Sequence, residues 1–85
     1  MAEHCLECLP EHFDATDRGD KTHEIRKDHG GYRVGDVLIL ERWDPATRDY
    51  TGQSIRRRVT YVDQNDDLGC PSGYCIMSLG MDAGA

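Results

Sequence analysis

No apolar run in the 85-residue chain approaches the roughly 18 residues that a membrane-crossing helix requires. Its start, Met1-Ala2-Glu3-His4, lacks the basic residues and the apolar stretch of a secretory leader. Bases are in the minority: ten Lys and Arg stand against sixteen Asp and Glu, for a net charge of −6. There is no internal repeat and no linker. These absences argue against a membrane protein, an exported protein and an indiscriminate polycation, leaving a cytoplasmic domain as the expectation. What is present suits one soluble globular unit: 38% of residues are apolar and 31% charged. Eighty-five residues allow one modest core.

Charge is segregated along the chain. Residues 1–20 carry six acids and one base, residues 21–60 nine bases and six acids, and residues 61–85 four acids and no base. The acidic ends repel a long phosphate backbone, because non-specific affinity comes from Lys and Arg neutralising phosphates. The central segment can still hold a small anionic group. The plainer account is a solvated surface of mixed charge.

Local signals predict about five strands and one short helix, a mainly β (α+β) fold class. His4 to Leu9 reads as a first strand. Pro10 to Gly19 reads as a helix, with Pro in its first turn and Gly19 as its C-terminal cap. Thr22 to Lys27 reads as a strand and Asp28-His29-Gly30-Gly31 as a loop. Val37-Leu38-Ile39-Leu40 is a continuous apolar run, the mark of a strand covered on both faces. Asp44 to Asp49 is turn chemistry. Ile55 to Val62 is a strand placing Ile55, Arg57, Val59 and Tyr61 on one face. Asn65 to Gly73 reads as loop, and Tyr74 to Leu79 closes the series. So many short strands predict a small β-barrel.

Gly19-Asp20-Lys21-Thr22-His23-Glu24-Ile25-Arg26 fills every fixed position of a G-x-K-x-x-E-x-R pattern. It is followed by Val34-Gly35-Asp36 before the apolar strand, then by Trp43-Asp44-Pro45, Tyr50-Thr51-Gly52, Arg58-Val59-Thr60-Tyr61 and Gly73-Tyr74. In these features the chain resembles the ASCH domains of the PUA-like superfamily, in particular a compact bacterial and phage subgroup of unknown function. The resemblance runs from about His4 to Leu79. It implies a PUA-like β-barrel over residues 1–80 with a flexible tail at 81–85, a cleft beside the motif, and a role with RNA or nucleotides.

The motif spacing has its own physical content. In a strand from Thr22, residues 22, 24 and 26 share one face. Lys21 stands at the helix–strand junction beside them. An ammonium, a carboxylate and a guanidinium thus converge, a set that can bond a base edge and grip a carbonyl or phosphate. The structural alternative is that Glu24 pairs with Arg26, or Arg26 with Asp36, simply to anchor the barrel. Gly19 reads better as a helix cap than as a phosphate contact. Tyr32 and Trp43 are candidates to stack on a base, or else to seal the core. Strand alternation splits Arg56-Arg57-Arg58 between two faces, so the run forms no patch of three charges.

Four cysteines raise the question of zinc, with Cys5-Leu6-Glu7-Cys8 and Cys70, Cys75 as the possible ligands. A strand over residues 4–9 would turn Cys5 and Cys8 to opposite faces, and the four histidines show no ligand spacing. No metal and no cofactor is expected. The leading expectation is therefore a monomeric module binding a nucleotide, modified nucleoside or short RNA through Lys21, Thr22, Glu24, Arg26, Tyr32 and Trp43. A second is an amidohydrolase acting on N4-acylcytidine nucleosides. The resemblance implies a catalytic role for Lys21; the late glutamate of those enzymes is absent from this chain, and its substitute would have to be Asp63, Asp66 or Asp67, or Glu24 itself. A third is a protein-interaction module using the acidic ends.

Overall fold

The computed structural model describes residues 1–28, 31–64 and 72–82. Its elements run β1 (Glu3–Cys8), α1 (Pro10–Arg18), β2 (His23–Lys27), β3 (Val37–Asp44), β4 (Asp49–Asp63) and β5 (Tyr74–Met81). The strands form one sheet in the order β1-β3-β4-β5-β2. β1 lies parallel to β3, and every other pairing is antiparallel. The sheet curls into a half-barrel, and the fold is mainly β with one short helix. No helix among the described residues is long and apolar enough to cross a membrane.

Closure is where the structure departs from the expected barrel. β1 and β2 are the two ends of the strand order, and no ladder joins them among the described residues. A side chain crosses the seam instead: Arg26 Nη2 on β2 donates to the Glu7 carbonyl on β1 at 2.7 Å.

The helix follows its local signals. Pro10 opens it, Glu11 lies in the first turn and Arg18 in the last. Gly19 takes the left-handed conformation at φ 88°, which costs glycine nothing. This cap lets the N–H groups of both Asp20 and Lys21 donate to Ala15 O at 3.0 Å, fixing where Lys21 leaves the helix. Phe13 points down from α1 into a core made with Cys8, Leu38, Leu40, Val59, Cys75 and Met77. Arg42 of β3 reaches up to hold Asp14 through two hydrogen bonds.

β4 is longer than the apolar alternation suggests, because residues 49–54 are polar and exposed and carry no core-facing signature. Glu41 pairs with Ser54 but Trp43 pairs with Tyr50, so three residues of β4 oppose Arg42 alone. Gly52, at φ 91°, absorbs that irregularity. A second bulge corrects the predicted faces of β4. Val59 pairs with Leu79 but Tyr61 pairs with Ser78, leaving Thr60 as the extra residue. One inserted residue reverses the alternation, so Val59 is buried while Tyr61 is 62% exposed. β5 also outruns its expected end at Leu79 and includes Gly80 and Met81. Asp82, expected in a loose tail, bonds Arg56 and Arg58. Residues 83–85 lie outside the described part.

Asp36 explains the Gly35-Asp36 pair. Its buried carboxylate accepts from His4 Nε2 at 2.8 Å and from the N–H groups of Ala2 and Arg33 at 3.1 Å, tying the start of β1 to the start of β3. Arg26 takes no part in this anchor, contrary to the possible Arg26–Asp36 pair. Burial pushes the Asp36 carboxyl up, but the bonds from His4, Ala2 and Arg33 outweigh it and hold the group below its ordinary value. A depressed folded value means that this stabilisation is complete above the unfolded value and is lost as pH falls through the folded one. Asp36→Asn should therefore cost about 2 kcal/mol at neutral pH. Urea melts should show that difference narrowing as pH falls below the ordinary carboxylate value and through the lower folded one.

Candidate functional site

The helix cap and the alternation of β2 bring Lys21, Glu24 and Arg26 together. Glu24 lies opposite Met77 in the ladder and Arg26 opposite Cys75, so both side chains turn toward the interior of the half-barrel. Glu24 Oε1 accepts from Lys21 Nζ at 3.0 Å, and Oε2 accepts from Arg26 Nε at 3.0 Å. The Glu24 side chain is only 4% exposed, whereas Lys21 and Arg26 are 18% and 25% exposed. One buried carboxylate thus holds two cations that each keep a face toward solvent.

Beside them is a depression of about 280 Å³. Its walls include Glu7 and Cys8 at the end of β1, and His12 on α1, together with Lys21, Glu24 and Arg26. It occupies the open seam between the two edge strands, where a closed ladder would have left no hollow. Burial pushes the Cys8 thiol up and the Glu24 carboxylate adds to this, while Lys21 and Arg26 pull the other way. A thiol so placed stays protonated and unreactive. Its neighbours Glu7 and His12 were not singled out in the sequence, since only the approach of β1, α1 and β2 puts them here.

The other expected residues stand apart from this hollow. Thr22 is exposed and lines a second, smaller depression that shares Lys21 with the first. Tyr32 packs against the core with its ring 4.7 Å from the His4 ring, and burial pushes its phenol above the ordinary value. Trp43 sits opposite Tyr50 near the far end of β3. Neither aromatic ring lines either depression. The arginine run divides as the alternation predicts: Arg56 and Arg58 bond Asp82, and Arg57 reaches the Thr16 carbonyl from the other face. Cys5 is exposed and Cys8 buried, so the two thiols face opposite sides of β1, and Cys70 lies outside the described residues.

Comparison with known proteins places this arrangement within a family. The model of a domain of unknown function, DUF3850, matches residues 3–79. The chain belongs to this family. The DUF3850 match takes in all of α1, β2, β3 and β4, and with them every residue around the Glu24 carboxylate. An uncharacterized 12.9 kDa protein in the GpA 3′ region of Escherichia phage P2 is 33% identical over 64 residues. That stretch covers 75% of this chain and 57% of the phage protein, so the two align over little more than half the phage protein's length.

Proposed function

We propose that this DUF3850 domain is a binding module for a nucleotide, a modified nucleoside or a short RNA segment, held in the depression at the β1–β2 seam. The observation that carries this reading is the pair of cations bound to one buried carboxylate at the wall of an open hollow. Lys21 Nζ gives one of its three donors to Glu24, and Arg26 gives two of its five to Glu24 and the Glu7 carbonyl, among the described residues. The remaining N–H groups suit a carbonyl or phosphate oxygen, and the exposed Glu7 carboxylate suits an exocyclic amine. The half-barrel with its motif at the helix–strand junction fits the resemblance to ASCH domains of the PUA-like superfamily.

Charge favours a small ligand. Arg42, Arg56 and Arg58 are engaged by Asp14, Glu3 and Asp82, so among the described residues these three do not offer the free basic stripe that a long RNA needs. Calorimetric titration with cytidine monophosphate, N4-acetylcytidine and a short RNA should show binding that weakens at least about tenfold in Lys21→Met and Arg26→Gln, the loss of one charged hydrogen bond each. Equal affinity in the native chain and both variants would remove the proposal.

A second reading, an amidohydrolase on acylated cytidine, rests on Lys21 standing at the mouth of the same hollow. It predicts cytidine released from N4-acetylcytidine and no release by Lys21→Met. A third, capture of a protein partner through the acidic ends, predicts a retained protein with no nucleotide bound.

A further inference from the structure

The second depression, about 250 Å³ in volume, lies on the other side of Lys21 from the first. It is formed where the end of α1 meets β4 and β5, with Thr16, Arg57, Leu79, Gly80 and Met81 among its walls. Three features of these walls converge.

The first is an uncompensated cation. Arg26, Arg42, Arg56 and Arg58 each pair with an acidic side chain. Arg57, also half-buried, donates only to the carbonyls of Arg56 and Thr16, at 2.9 and 3.2 Å, and meets no carboxylate among the described residues. Neutral acceptors orient a guanidinium without cancelling its charge, so such a group favours an anion beside it. The second is an unused polar group. Thr16 is 1% exposed, and its hydroxyl has no hydrogen-bond partner among the described residues. Buried hydroxyls are nearly always bonded, so this one is left over from the fold's own pairing. The third is the apolar character of Leu79 and Met81, which offer a wall to hydrocarbon and nothing to a wholly polar ion such as phosphate.

We propose that this depression binds a short-chain aliphatic carboxylate, its head group on Arg57 and its alkyl chain against Leu79 and Met81. The proposal does not rest on nucleotide binding at the seam, although Lys21 borders both depressions. Lys21, already committed to Glu24, adds a second positive field at the rim.

The test is an amide-resolved NMR titration of the full chain with hexanoate, hexanamide and inorganic phosphate. Hexanoate should give saturable shifts at Thr16, Leu79, Gly80 and Met81, and the other two probes should bind at least about tenfold more weakly, since each lacks one of the two matched features. Arg57→Gln, with its native spectrum preserved, should weaken hexanoate by a similar factor. If that variant does not fold, Met81→Glu decides. Met81 is 75% exposed and sits directly opposite Arg57 in the ladder, so a glutamate there brings a carboxylate to the guanidinium from within the chain. That variant should melt at a higher temperature and lose hexanoate binding. The proposal is overturned by any of three results: no saturable hexanoate shift, equal binding of hexanamide or phosphate, or hexanoate binding unchanged in a folded variant.

Discussion

Phe13→Ala is expected to lower the unfolding free energy by about 4 kcal/mol, the range for truncating a buried phenylalanine. Phe13 is the large side chain by which α1 enters the core, and it is 2% exposed. For a domain of this size such a loss moves the melting midpoint by roughly 20 °C. It is also a large share of the roughly 5–15 kcal/mol that separates folded from unfolded chains. Urea denaturation of the variant should show the reduced midpoint. The consequence reaches the site, because α1 supplies His12 to one wall of the hollow and its C-terminal cap positions Lys21. Phe13→Leu keeps an apolar anchor and should cost only about 1 kcal/mol. A Phe13→Ala variant as stable as the native chain would mean that α1 does not depend on this contact.

Glu24→Ala should cost about 3 kcal/mol, near the lower end for removing one partner of a buried ion pair. The lower end applies because Lys21 and Arg26 both keep part of their hydration when the carboxylate is gone. Two cations would then face each other across the space that Glu24 occupied, with Arg26 still drawn to the Glu7 carbonyl. Replacing Lys21 as well, in a Lys21→Met, Glu24→Ala double variant, removes one of the stranded charges. It should recover about 1 kcal/mol relative to Glu24→Ala alone, a coupling that a double-mutant cycle reads directly. Additive losses would show that the two side chains act separately, and the shared-carboxylate geometry would then not govern stability.

These two effects separate what Glu24 does from what its partners do. Its two oxygens are already engaged, so the carboxylate works chiefly as the post on which Lys21 and Arg26 are held. The three side chains pair with one another, as the structural alternative has it, and a hollow lies alongside them.

Much of this was legible from local pattern. Pro10 and Gly19 bracket α1 because helix ends are set by the backbone groups of one turn. Glu24 and Arg26 share a face, and Arg57 parts from Arg56 and Arg58, because strand alternation is a property of consecutive residues. The same logic failed at Thr60, where a single extra residue turned Tyr61 outward, and nothing in Arg58-Val59-Thr60-Tyr61 marks that insertion. Tyr32 and Trp43 read either as stacking candidates or as seals of the core; Tyr32 packs against the core, and neither ring lines either depression.

The sequence by itself determined the kind and order of the elements, the helix cap and the faces on which the charged residues of β2 lie, since each depends on contacts within a few residues, but not the full reach of β4 and β5. Only the tertiary structure decided that, among the described residues, the sheet stays open between β1 and β2, that Arg26 crosses the gap to the Glu7 carbonyl, and that Arg57 meets no carboxylate beside a second depression. Those outcomes depend on how residues far apart in the chain are brought together, and the strand order that unites them is fixed by the packing of the whole core rather than by any segment's own pattern.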